Sequence, residues 1–97
     1  MEIEKQSEGG RLIVKVTGRL NTNTSPELEA ELSLDGVSEV VFDFAGLEYI
    51  SSAGLRVLMV AKKTMMARGG RAVVANPNKT VRDVFDITGL SDVFEIA

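Results

Sequence analysis

The sequence predicts an α/β fold, a mixed and mostly parallel β-sheet of about four or five strands packed against about three or four helices. Three observations carry this. Short β-branched runs alternate with helical patterns over the C-terminal two thirds, the order that parallel strands joined by right-handed crossovers require. The run Val40-Val41-Phe42-Asp43-Phe44 is mostly apolar on both alternating faces, as a central strand covered on each side should be. A Gly9-Gly10 pair separates the first two strand-like runs and marks a hairpin that adds an antiparallel edge.

Taken in order, Glu2 to Ser7 alternates weakly, and Leu12 to Val16 is a strand bounded by Gly18. Thr24 or Ser25 ahead of Pro26 predicts a brief helix with proline at its first position, where no N–H is needed. Leu28, Ala30 and Leu32 give it a short apolar face. Asp35-Gly36 is a turn into the central run, which a short loop connects to Ser51. The stretch from Ser51 to Gly70 lacks proline, opens on two serines and closes on Lys, Arg and a glycine pair, the signals of an α-helix. Leu55, Leu58, Met59, Met65 and Met66 form its apolar face, with Arg56, Lys62, Lys63 and Arg68 off it. Arg71 to Ala75 is a further strand. Thr80 is placed to cap a third helix that turns Val81, Val84, Phe85 and Ile87 inward and ends at Gly89, and Val93 to Ile96 is a last strand.

Composition narrows the function. The 97 residues fit one domain, spanning 1–97, with little room for a deep catalytic cavity beside a core. With 44% hydrophobic and 26% charged residues, the chain is an ordinary globular one. A net charge of −3, with both signs scattered, offers no basic stripe for nucleic acid. The absence of cysteine removes disulfides and thiolate chemistry, and that of histidine removes Ser-His-Asp catalysis and most zinc chemistry. No cofactor is expected. The first ten residues show no basic region followed by an apolar stretch, and no apolar run approaches the ~20 residues of a membrane span. The expectation is a cytoplasmic chain that does not insert into membranes.

The informative stretch is DFAGLEYISSAGLRVL, Asp43 to Leu58, where a strand leads into two serines and a glycine at a helix head. A structural reading suffices for the serines, since a hydroxyl at the N-cap accepts from a free backbone N–H and contributes about 1 kcal/mol. Gly54 can likewise serve close helix packing. A functional reading starts from the same geometry. A hydroxyl at the carboxyl edge of a sheet is presented to a partner and can accept a phosphoryl group, whose added charge meets the positive helix end.

The segments GRLNTNTSPEL, VVFDFAGLEYISSAGLRVL and GGRAVVANPNKTVRDVFDITGLSDVFEI together resemble the STAS family, named for sulfate transporters and anti-sigma factor antagonists, over essentially the whole chain. The resemblance implies a single STAS-type domain. The family's motif carries an Asp, the phosphorylated Ser, a second hydroxyl residue and Gly-Leu at the helix head. Laid on this chain, Ser51 takes the Asp position, Ser52 the phosphorylated position and Ala53 the second hydroxyl position, and Gly54-Leu55 match. The chain departs from the pattern at Ser51 and at Asn21, both places where the family often has Asp.

The resemblance implies an anti-sigma factor antagonist. In this reading the unphosphorylated form binds an anti-sigma factor of GHKL-type serine-kinase fold and releases the sigma factor. Phosphorylation of Ser52, with Ser51 as its rival, reverses this, and a phosphoserine phosphatase resets it. Its partner surface comprises Asn21, Thr22, Asn23, Tyr49, Ile50, Ser51, Ser52, Ala53, Gly54 and Arg56. The alternative is a STAS accessory or docking subunit of a lipid-trafficking ABC transporter or signalling assembly, with no phosphorylation cycle, which an exposed strip including Met65 and Met66 would favour. Catalysis is discarded, because Ser52 has no histidine and Lys62 and Lys63 form a charged pair. Asp43 with Asp83 or Asp86 is a weak Mg²⁺ candidate. No metal is expected.

Overall fold

A computed structural model describes residues 1–97. Six strands form one mixed sheet. The strands β1 (Glu2–Glu8) and β2 (Arg11–Leu20) make the opening antiparallel hairpin, and Glu8 opposes Arg11 at its turn. After α1 (Ser25–Glu31) come β3 (Glu39–Asp43), β4 (Leu47–Ile50), α2 (Ser52–Ala67), β5 (Arg71–Ala75), α3 (Lys79–Thr88), a single 3₁₀ turn over Leu90–Asp92, and β6 (Glu95–Ile96). The main order is β1-β2-β3-β5-β6, with every pair after the hairpin parallel, and β4 pairs separately with the far half of β2.

The expected strand count falls short by one. The segment between Phe44 and Ser51 holds β4 rather than a plain loop, and β2 runs on to Leu20 instead of stopping before Gly18. One feature explains both. Gly18 adopts φ 106 inside the strand, and the register shifts between Gly18 and Arg19. The bend directs the second half of β2 away from β3, so that Arg19 and Leu20 pair with Tyr49 and Ile50.

The core lies between the sheet and its helices. Leu12, Val14 and Val16 of β2, Val40 and Phe42 of β3, and Ala72 and Val74 of β5 face one way, as strand alternation requires. Leu28, Leu55, Leu58, Ala61, Met65, Val81 and Phe85 of the three helices close over them. Phe85 and Phe94 meet edge to face with ring centroids 5.8 Å apart. On the other face Arg11, Glu39, Arg71 and Glu95 form a chain of ion pairs across β2, β3, β5 and β6.

Several local expectations change. Pro26 is the second residue of α1, not the first, and Ala30 is exposed. Asn78, not Thr80, caps α3, its side chain accepting from Val81 N–H at 2.8 Å. Ile87 is 84% exposed and Met66 63%, because α3 and α2 each rest on the sheet by one stripe and those positions fall off it. Met65 is fully buried, so the two methionines form no exposed strip. The last strand shortens to Glu95–Ile96, since Val93 closes the 3₁₀ turn. No helix is long and apolar enough to cross a membrane.

Candidate functional site

The site is built where β2 and β4 end side by side. Leu20 pairs with Ile50, and the next residue, Ser51, donates its N–H to the Leu20 carbonyl at 2.8 Å. That bond carries the strand ladder one step into the helix head. Ser51 is the N-cap of α2, extended at φ −96, ψ 174, with its hydroxyl oxygen accepting from Gly54 N–H at 3.3 Å. Its backbone carbonyl accepts from Leu55 N–H at 2.9 Å.

Ser52 is therefore the first helical residue, and it is exposed. Its hydroxyl makes no hydrogen bond to the rest of the chain, and the amides of Ser52 and Ala53 have no acceptor, as expected in a first helical turn. The two serines divide the two readings between them: Ser51 holds the helix, and Ser52 is free.

The helix head is seated by Gly54. A Cβ there would stand 2.8 Å from Leu20 Cγ and 2.9 Å from Ile50 Cγ1. Only glycine lets α2 approach the ends of β2 and β4 this closely. Ile50 is itself 1% exposed, and Gly54 is buried. Both were expected on the partner surface, and both lie buried within the chain. Burial against Leu20 gives them the task of fixing where Ser51 and Ser52 stand.

Beside the helix head lies the turn from Asn21 to Thr24. The Asn21 side-chain oxygen accepts from the N–H groups of Asn23 at 2.9 Å and Thr24 at 3.0 Å. Thr24 locks the turn from the other side, donating its hydroxyl to the Arg19 carbonyl at 2.7 Å and accepting from Asn21 N–H at 2.9 Å. Thr22 and Asn23 are exposed at the tip, and Asn21 is half-buried. The strand pairing brings this turn to the same edge as Ser51, Ser52 and Ala53. Tyr49, half-buried on β4, carries the Arg19 guanidinium over its ring at 4.8 Å from the centroid. Strand alternation sets that pair on the face opposite Leu20 and Ile50.

Charge on α2 has one sign. The helix contains Arg56, Lys62 and Lys63 and no acid, and Arg68 follows at its C-cap. Lys62 lies 6.0 Å from the Phe94 ring centroid, and Arg68 bonds the Leu34 carbonyl. Arg56 is exposed and enters no ion pair or hydrogen bond. The carboxylates considered for Mg²⁺ are engaged apart from one another. Asp43 accepts from Asn76, Asp83 pairs with Lys79, and Asp86 bonds Ser91. No group of three or more candidate ligands converges anywhere in the chain.

Sequence reasoning missed two supports. Asn78 Nδ2 donates to the Leu47 carbonyl at 3.0 Å, tying the head of α3 to the start of β4. Gly18 sets the bend that makes β4 pair at all. The signal for Gly18 was present as an isolated glycine inside a β-branched run, which is how a bulge reads.

The STAS domain family matches residues 2–97. A Bordetella bronchiseptica protein provisionally named anti-sigma factor antagonist BtrV is 36% identical over 100 residues, taking in 100% of this chain and 86% of that protein. The anti-sigma factor antagonist SpoIIAA in its unphosphorylated form shares the fold, with TM-score 0.86 and 22% identity over 99% of this chain and 88% of that one. Bacillus SpoIIAA in its phosphorylated form gives 0.78 and 21% over 99% and 91%.

Proposed function

The chain belongs to the STAS domain family, and on that premise we propose that it is an anti-sigma factor antagonist switched by phosphorylation of Ser52. The observation that carries this reading is the free hydroxyl of Ser52 at the exposed head of α2, one residue beyond the serine that caps the helix. The name of the 36%-identical relative supports the antagonist role. In the unmodified state the turn Asn21 to Thr24 and the helix head through Arg56 dock on an anti-sigma factor of GHKL-type kinase fold in the cytoplasm, and the sigma factor is released. The chain acts as a binding partner and not as a catalyst.

The switching step is phosphoryl transfer from ATP in the partner's site. Ser52 Oγ bonds to the γ-phosphorus, the bond from that phosphorus to the β–γ bridging oxygen breaks, ADP leaves, and the hydroxyl proton passes to a base on the kinase. The product adds about −1.5 to −2 charges at the centre of the docking surface. The free amides of the first turn and the positive helix end receive it, so the fold is kept while the interface is lost. A phosphatase that removes the group restores binding.

The family's two missing acids fit this reading. Asn21 uses only its side-chain oxygen as an acceptor, and Ser51 accepts from Gly54 N–H, so each performs the backbone bonding that an aspartate would. The docking-subunit reading leaned on an exposed Met65–Met66 strip, and the burial of Met65 removes that support.

The test is capture from the host lysate with ATP present, using the wild-type chain and Ser52→Ala as baits, with recovered proteins identified and phosphate mapped by mass spectrometry. The expected result is an anti-sigma factor kinase on both baits, held more firmly by Ser52→Ala, and phosphate on Ser52 of wild type alone. Phosphate on Ser51, or transporter subunits captured with neither bait modified, would overturn it.

A further inference from the structure

We propose that Arg56 is the built-in counter-ion of a phosphate on Ser52, so that modification withdraws from the docking surface the one free cation that the unmodified helix head offers. This rests on the assignment of Ser52 above. Ser52 and Arg56 are four residues apart on α2, which places them on one face with Cβ atoms about 5–6 Å apart. Both are exposed. Helical side chains lean toward the N-terminus, so the Arg56 stem lies back over the turn that begins at Ser52. The order is also the favourable one, with the anion N-terminal and the cation C-terminal.

The neighbouring charges leave Arg56 alone in that position. Arg19 on β2 is held over Tyr49, and Lys62 faces Phe94. Lys63 stands eleven residues along the helix from Ser52, about 16 Å in axial rise. No acid lies on α2 to compete for the guanidinium, and the exposed carboxylate of Glu48 on β4 makes no ion pair with it. A guanidinium presents paired N–H donors that match phosphate oxygens. Phosphorylation therefore changes the surface twice, adding an anion at residue 52 and occupying the cation at residue 56. A partner acid that had faced Arg56 loses its counterpart in the same step.

The test uses the full chain with phosphoserine installed at position 52 by directed incorporation, so it needs no kinase. In a ³¹P NMR titration the second phosphate pKa is expected to lie lower in the wild-type background than in Arg56→Gln, by about 0.3 pH unit or more. Lys63→Gln should match wild type. The Arg56 Nε–H resonance should move as the phosphate titrates. Equal midpoints in wild type and Arg56→Gln would overturn the pairing, leaving the free amides alone to receive the phosphate. Arg56 is exposed, so folding is retained and circular dichroism confirms it. Against the captured anti-sigma factor, the affinity lost on installing phosphoserine should be several-fold smaller in Arg56→Gln than in wild type, and an equal loss would overturn the withdrawal. Phosphate mapped in cells to a residue other than Ser52 sinks the functional reading but leaves the NMR comparison intact, so the two failures are distinct.

Discussion

Gly54 and Leu20 touch through a missing side chain: a Cβ at residue 54 would stand 2.8 Å from Leu20 Cγ, closer than real Cβ contacts allow. Leu20 and Ile50 are 0% and 1% exposed and pair with one another across β2 and β4, so neither can step aside. Alanine is a better helix former than glycine by about 1 kcal/mol in a helix interior, and less in a first turn. Overpacking a filled core costs about 1–3 kcal/mol and should win. Gly54→Ala is expected to destabilise the chain by about 1–2 kcal/mol in urea unfolding. A neutral or stabilised variant would show that the helix head shifts freely, and with it the position of Ser52.

The two serines should separate by experiment. Ser51→Ala removes the α2 cap, whose 3.3 Å bond is long, and should cost about 0.5–1 kcal/mol. Ser52→Ala deletes a hydroxyl with no partner, and its stability should lie within about 0.5 kcal/mol of wild type. Chemical denaturation of both variants decides it. A larger loss from Ser52 than from Ser51 would reverse the assigned roles.

What the sequence made legible follows a physical division. The hairpin, the central run at Val40 to Phe44, α2 and the glycine that ends α3 all rest on local patterns, and each is present. The strand β4 rests on a distant event. Leu47 to Ile50 is only four residues long, and it becomes a strand because a bend at Gly18, some thirty residues earlier, brings a partner to it. Ile87 and Met66 were misplaced for a related reason: helical spacing marks an apolar face, but the sheet decides how wide a stripe is covered. The position of Ser52 was readable because its motif is contiguous. The burial of Ile50 and Gly54 was not, since it depends on where β2 ends.

Asn21 offers a test of why this chain lacks an acid there. Its oxygen accepts two backbone N–H groups, and Asp would supply the same acceptor with added charge. Asn21→Asp should lie within about 0.5 kcal/mol of wild type, whereas Asn21→Ala should lose about 1 kcal/mol by releasing both N–H groups. Thermal unfolding of the pair checks this. An Asn21→Asp variant as damaged as Asn21→Ala would mean that the side-chain amide has a use beyond the turn.

The ion pairs on the outer sheet face predict an acid-side effect. The Arg71 guanidinium, hydrogen-bonded to Glu95, holds that carboxyl below the usual glutamate range. A folded pKa below the unfolded one gives stability that is present above the ordinary range and lost as pH falls through the folded value. Glu95 lies on the exposed face of the sheet, so the effect is small and salt-sensitive. On acidification from about pH 6 to about pH 3 at low salt, the thermal midpoint of wild type should fall further than that of Glu95→Gln. Parallel falls would remove Glu95 from the account.

The last support to test is Asn78, which joins two elements at once. Its oxygen caps α3 through Val81 N–H at 2.8 Å, and its nitrogen reaches the Leu47 carbonyl at 3.0 Å. Leu47 opens the strand that delivers Ser51 and Ser52, so the second bond positions the site from behind. Asn78→Ala loses both bonds and should cost about 1–2 kcal/mol. Asn78→Ser keeps a capping oxygen but is too short to reach Leu47, and should fall between wild type and Asn78→Ala. Amide hydrogen exchange then locates the loss. If the link to β4 matters, Asn78→Ser should speed exchange at Ser51, whose N–H is bonded to Leu20, while Val81 stays protected. Faster exchange at Val81 alone would confine Asn78 to capping α3 and leave Gly54 as the chief anchor of the helix head.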